Sequence, residues 1–191
     1  MPIEDYLETV KQQGVEIIDA TCPFVKKIHK IVQKESFAGK HIVIIGCAKH
    51  PEVQGICGWT KGPVTVIETA DEARAFQVKE SEKICVVSQT TFNFNKFEEY
   101  VEILMKKGYD DTVVINTICN ATEERQSEAE SLAKTADAMI VIGGKHSSNT
   151  QKLYEICKKY CAETYFIQTL NDLELETLKS TGCVGITAGA S

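Results

Sequence analysis

Residues 17–25 read IIDATCPFV, and the cysteine among them sits where an apolar run meets a proline. Proline cannot give a ladder hydrogen bond, and its fixed φ suits the first turn of a helix. The stretch therefore reads as strand, cysteine, helix, with Cys22 at the junction. A second copy lies downstream: Ile18-Asp19-Ala20-Thr21-Cys22 aligns with Ile115-Asn116-Thr117-Ile118-Cys119 at a displacement of 97 residues. From each cysteine the next strand-end glycine, Gly46 or Gly143, is 24 residues on. Lys49-His50-Pro51-Glu52 follows the first glycine and Lys145-His146-Ser147-Ser148-Asn149 the second. Gln89-Thr90-Thr91 and Ala188-Gly189-Ala190-Ser191 extend the correspondence.

Outward from these junctions the chain alternates. Ile3, Tyr6, Leu7 and Val10 mark an amphipathic helix ended by Gly14, and VEIIDA (15–20) reads as a strand. A helix is predicted from Cys22 to about Gln33, then the strand HIVIIG, a short proline-started helix after His50, and the strand PVTVIE. DEARAF is helical, KICVVS a strand and FNKFEEYVEILMKKG a helix. The second half continues with TVVINTI as strand, TEERQSEAESLAKTA as helix, MIVIGG as strand and SSNTQKLYEICKKY as helix. ETYFIQ as strand, DLELETLKS as helix and CVGITAG as strand complete it. Continuous Val/Ile runs between helices indicate an α/β fold with parallel sheets covered on both faces, whose ligands bind at the carboxyl ends of the strands. The expected organisation is two similar parallel-sheet lobes, residues 21–110 and 111–191, with residues 1–20 as a linking helix and strand.

Composition narrows the function. With 43% hydrophobic and 25% charged residues, the 191-residue chain can bury ordinary cores. A net charge of -6 with scattered Lys and Arg argues against a general nucleic-acid surface, so an anionic substrate must be held by local groups. No apolar run is long enough to span a membrane and the first ten residues carry acids, so a cytoplasmic location is expected. The eight cysteines lack C-x-x-C or zinc-finger spacing. Cys85, Cys157 and Cys183 are expected to be buried packing thiols, Cys161 a helix end, and Cys47 and Cys57 without an assigned role.

The repeated groups have a joint chemistry. Thiolates hold soft metals or iron–sulfur clusters, while hydroxyls, amides and helix-start N–H groups bind phosphate oxygens. A carboxyl buried beside a cluster keeps and donates a proton. Taken singly, Cys22 and Cys119 read as packed thiols, Ser147 and Asn149 as helix caps, and His50 as a loop residue. Their recurrence in one order in both halves favours a site.

The blocks DATCPFVKKIH, GCAKHPEVQG, SQTT, TICNATEERQ, KHSSNT and GITAGAS together resemble the LytB/IspH family of 4-hydroxy-3-methylbut-2-enyl diphosphate reductases. The resemblance implies a three-lobed (trefoil) architecture in which three α/β domains each give one cysteine to a central 4Fe-4S cluster; this chain matches the second and third. It implies reductive loss of the allylic hydroxyl as water, giving isopentenyl and dimethylallyl diphosphate in the last step of the non-mevalonate isoprenoid pathway. Ferredoxin or flavodoxin is the implied electron donor. By motif position, Cys22 and Cys119 match two cluster ligands and Thr122 a polar residue near the cluster. Glu52 matches the proton-delivering acid, supported by Thr90 and Thr91 near the substrate hydroxyl. His50, Ser147, Ser148, Asn149 and Ser191 match the diphosphate-binding groups. No stretch before Cys22 matches the family's first domain with its cysteine and two histidines, so a truncated chain, inactive alone and lacking a full cluster, is expected. A cluster-free phosphate- or phosphosugar-binding α/β module would also use KHSSNT and TAGAS, and a disulfide redox sensor would use paired thiols; neither explains the repeated strand-end cysteine.

Overall fold

The computed structural model describes residues 3–79, 82–109, 111–173, 178 and 181–189. It divides into two compact units, one of residues 1–90 with 95–117 and the other of 91–94 with 118–191.

The first unit begins with α1 (Ile3–Gln12) and α2 (Pro23–Phe37), then β1 (His41–Ile45), α3 (Pro51–Gly58), β2 (Val64–Ile67), α4 (Ala70–Ala75) and β3 (Ile84–Ser88). It closes with α5 (Phe94–Met105) and β4 (Thr112–Val114). The strands form one parallel sheet in the order β2-β1-β3-β4. The strand at 112–114 thus adds to the sheet of the residues before it. Burial on both faces explains the unbroken apolar runs: Ile42, Val43, Ile44 and Ile45 are all fully buried, as are Ile84, Cys85, Val86 and Val87. Ile28 and Val32 of α2 and Val53 and Ile56 of α3 pack on one side with Ile42, Ile44, Cys85 and Val87.

The second unit holds α6 (Asn120–Ala133), β5 (Ala138–Ile142), α7 (Ser148–Tyr160), β6 (Thr164–Ile167) and β7 (Val184–Ala188). Its parallel sheet runs β6-β5-β7. Ala129, Ala133, Met139, Val141, Leu153, Cys157 and Cys161 form the main core, and Ile140, Ile167 and Leu173 cluster separately. The 97-residue displacement holds element by element: α2, β1 and α3 start at 23, 41 and 51, and α6, β5 and α7 at 120, 138 and 148.

Three expectations change, and a fourth lies largely outside the described residues. VEIIDA forms no ladder; residues 15–20 have no regular secondary structure, with Ile18 87% exposed. Its β-branched residues express a strand only where a neighbour supplies hydrogen bonds. The helix after Cys22 runs on to Phe37 rather than Gln33, because Ile28, Val32 and Ser36 continue its buried face. Cys183 is exposed rather than packed, since it precedes β7 and gives its N–H to Asp137 Oδ2 at 2.8 Å. The predicted helix at 172–180 is described only in part, with a 3₁₀ turn at Leu170–Asp172. Cys85 and Cys157 are buried as expected, and desolvation pushes both thiols up to about 11.

Candidate functional site

Each unit presents its cysteine in the same way. Cys22 is the N-cap of α2 with φ/ψ of -52/137, and Cys119 the N-cap of α6 with -67/131. Neither side chain makes a capping hydrogen bond. Each sulfur therefore stands at the positive end of a helix without being spent on its N–H groups. Cys22 is exposed and Cys119 half-buried. Asp19 braces the approach to Cys22, accepting from Thr21 N–H at 2.9 Å and pairing with Lys26 at 2.9 Å. The bond from Thr21 and then that from Lys26 hold its carboxyl well below the usual carboxylate range. Thr122, on the first turn of α6, is buried and gives its N–H to Cys119 O at 2.8 Å.

Next along each copy comes the loop that ends β1 or β5. In the first unit, His50 caps α3: its Nδ1 accepts the N–H of Glu52 at 3.2 Å, and Pro51 fills the first helical position. An Nδ1 that accepts leaves the other ring nitrogen, Nε2, as the donor in the neutral imidazole. Glu52 is held at both oxygens by buried Thr90, Oε1 accepting its N–H at 2.7 Å and Oε2 its hydroxyl at 2.7 Å. Proline's φ and the cap together set the direction of Glu52, and Thr90 fixes its carboxyl plane.

In the second unit, Ser147 caps α7 by accepting the N–H of Thr150 at 3.3 Å. Ser148 Oγ accepts from the Thr91 hydroxyl at 3.2 Å. Asn149 is buried, and its Oδ1 has no hydrogen-bond partner among the described residues. A buried amide oxygen without a partner is costly unless something outside the protein satisfies it. Ser191 lies outside the described residues.

Several residues to which the sequence reading gave no role hold these groups. Buried Gln89 accepts the Cys47 N–H at 3.1 Å and so pins the loop leading to His50. A Cβ on Gly46 would meet Gln89 Cβ at 2.9 Å, which explains the glycine at that strand end. Thr117, buried, accepts Ser88 N–H at 2.8 Å and donates to Ser88 O at 2.6 Å, fixing the turn just before Cys119. Gln126 of α6 accepts Phe94 N–H and donates to Phe92 O, both at 3.0 Å, anchoring the segment that carries Thr91. Gln89 and Gln126 stand in the SQTT and TEERQ blocks, so the signal was there, but their partners lie 42 and 32–34 residues away. Among the described residues, no cluster of three or more His, Cys, Asp and Glu side chains is placed to hold a metal ion. No helix of the described residues is long and apolar enough to cross a membrane.

The family model described as LytB protein matches residues 3–191. A relative from Caldanaerobacter subterraneus subsp. tengcongensis, named 4-hydroxy-3-methylbut-2-enyl diphosphate reductase, is 48% identical over 184 residues, covering 96% of this chain and 63% of its own. One of the same name from Clostridioides difficile is 44% identical over 188 residues, or 98% of this chain and 67% of its own. The solved structure of the E-1-hydroxy-2-methyl-but-2-enyl-4-diphosphate reductase from Plasmodium falciparum superposes with a TM-score of 0.89 at 28% identity, covering 98% of this chain and 59% of that one. The chain thus spans a little under two thirds of the length of the first of these relatives.

Proposed function

The chain belongs to the LytB protein family, and from that premise we propose that it supplies two units of a 4-hydroxy-3-methylbut-2-enyl diphosphate reductase. The observation that carries the reading is the pair of N-cap cysteines, alike in backbone and free of any capping bond. The reaction breaks the allylic C–O bond, takes up two electrons and two protons, and releases water with isopentenyl or dimethylallyl diphosphate.

Thiols at Cys22 and Cys119 fit an iron–sulfur cluster in kind, and they make two of the three ligands such a site uses. A 4Fe-4S cluster, when bound, supplies electrons and a Lewis-acidic iron for the substrate hydroxyl. The protein's own groups handle binding and protons. Thr90 Oγ1 donates to Glu52 Oε2 at 2.7 Å; when Glu52 carries the proton this bond reverses, the carboxyl giving its proton to Oγ1 as the threonine hydroxyl gives its own to the departing oxygen. The Nε2–H of His50, set as donor by the α3 cap, binds a diphosphate oxygen. Ser147, Ser148, Asn149 and Ser191, with the N–H groups at the start of α7, bind the rest of the anion. Neutral donors of this kind suit an anionic substrate on a chain of net charge -6.

Anaerobic reconstitution with iron and sulfide tests the reading. The expected chain binds inorganic diphosphate, loses iron on Cys22→Ser or Cys119→Ser, and forms no product by itself. Turnover by this chain alone would refute the need for a third unit, and iron content indifferent to both cysteines would refute their role.

A further inference from the structure

We propose that the hydroxyl of Thr150 is a further binding group of the anion site at the start of α7, a donor that no protein group takes up and that a phosphate oxygen of the ligand does; this rests on the anion-binding part of the reading above. Thr150 is fully buried as the third residue of α7, and its Oγ1 has no hydrogen-bond partner among the described residues. A helical threonine ordinarily gives its hydroxyl to the carbonyl three or four residues back. Thr150 makes no such bond, and a buried hydroxyl without a partner costs stability.

The first unit shows that the fold does not need this hydroxyl. The residue 97 positions earlier is Val53, third in α3 and also fully buried. Valine has nearly the shape of threonine, so Val53 fills the slot with no polar atom to satisfy. Its neighbour Glu52 is held at both oxygens by Thr90. In the second unit the pair at this place is Asn149 and Thr150, and each keeps a buried oxygen without a partner among the described residues. The one other buried side-chain atom in that state among the described residues is Nε2 of His29. Two adjacent orphaned oxygens at the N-terminus of a 13-residue helix, where the N–H groups favour negative charge, mark a place kept for an external partner.

The surrounding backbone makes room for the hydroxyl. Gly143 follows β5 and Gly189 follows β7; a Cβ on either would run into Oγ1 of Thr150, and one on Gly189 would also lie 2.8 Å from its Cα. These strand ends are neighbours, with Ile142 paired to Ala188 and the Gly189 N–H given to Ile142 O at 2.9 Å. In the first unit the residue after β3 is Gln89, which gives its N–H to Ile45 O in the same way and spends its side chain on the Cys47 N–H. Gly189 stands in the corresponding place and leaves that strand end clear of a side chain. Threonine has two χ1 states open to it in a helix, so rotation about one bond redirects the hydroxyl toward an anion at the head of α7. A hydroxyl donates to a phosphate oxygen without adding charge.

Titration calorimetry with inorganic diphosphate, run beside urea unfolding, tests this on Thr150→Val, Thr150→Ser and Val53→Thr. Thr150→Val is expected to keep or raise the urea midpoint while binding diphosphate about tenfold more weakly, the loss of one hydrogen bond to a charged group. Thr150→Ser keeps the hydroxyl and loses a methyl, so it is expected to lower the midpoint and to bind within about twofold of wild type. Val53→Thr buries a new hydroxyl in the first unit and is expected to lower the midpoint with binding unchanged. A packing role alone gives the opposite order, with valine harmless and serine damaging to both measurements. That order overturns the proposal, as does wild-type affinity in Thr150→Val, or a fall in its urea midpoint as large as that of Thr150→Ser. Binding by wild type that is indifferent to the hydroxyl defeats this proposal alone, whereas no diphosphate binding by wild type defeats the anion reading and this proposal with it.

Discussion

Glu52 and Asn149 occupy the same place in the two units, 97 residues apart and second in the helix that follows the central strand. The scaffold around them is duplicated: a cysteine N-cap, a buried strand, a strand-end glycine and a side-chain cap at His50 or Ser147. Their surroundings differ in one respect. Both oxygens of Glu52 are taken by Thr90, whereas Oδ1 of Asn149 has no partner among the described residues. A fully held carboxyl is suited to exchanging a proton along a fixed line; an amide with hydrogen-bonding capacity left over is suited to binding a ligand. On the proposed function, one backbone device would thus serve a proton donor in one unit and an anion ligand in the other through the identity of a single side chain and its neighbour.

Core truncation is the strongest way to test whether the two scaffolds are equivalent. Ile56 and Leu153, also 97 residues apart, are both fully buried. Ile56→Ala and Leu153→Ala should each cost about 2–5 kcal/mol in urea unfolding, with the larger loss in the unit that relaxes less around the cavity. A cost under about 1 kcal/mol at one of them would show that its unit is packed on a different principle.

Exchanging the divergent pair should sharpen the contrast. Asn149→Ala is expected to weaken inorganic diphosphate binding about tenfold, roughly 1.4 kcal/mol, while Glu52→Gln leaves it near wild type. Calorimetry showing the reverse order would sink the division of labour. Removing the cap hydroxyl by Ser147→Ala should cost about 1 kcal/mol of stability. His50→Ala should do the same for α3, because it loses the acceptor for the Glu52 N–H.

The smallest effect is one of pH and belongs to the first unit alone. His29 stacks on Trp59 with ring centroids 5.3 Å apart, and its Nε2 is buried without a partner among the described residues. Burial pushes its pKa below the ordinary 6.5, against a weaker pull upward from Asp19. The folded state then binds fewer protons than the unfolded one, so stability is undiminished above pH 6.5 and declines as pH falls from there toward the lowered value. Hydrogen-exchange protection around α2 and α3 should drop on acidification, and His29→Gln should flatten that slope. An unchanged slope in the variant would assign it to another group.

Much of this was legible without coordinates. Val/Ile runs bounded by helices gave the two parallel sheets, the 97-residue repeat singled out Cys22 and Cys119, and the family resemblance pointed to Glu52 and Asn149. Other features needed three dimensions. The strand reading of VEIIDA failed because β-propensity is realised only against a neighbouring strand. Cys183 reads as apolar by its neighbours and is exposed because it lies just outside β7. The lysines of α2, Lys26, Lys27, Lys30 and Lys34, read as scattered in the sequence, yet their intervals of 1, 3 and 4 gather them on one face once wound at 3.6 residues per turn.

By itself the sequence determined the order of elements, the duplication and the cysteine at each strand-to-helix junction, since these follow from local periodicity and from proline and cap chemistry. The tertiary structure alone decided that Thr90 holds Glu52 across 38 residues of chain, that Gln126 anchors the Thr91 segment, and that Asn149 keeps an oxygen without a partner among the described residues. Hydrogen bonds between groups so far apart in the chain depend on where packed helices and strands bring their ends, and a linear pattern of residues does not encode those positions one by one.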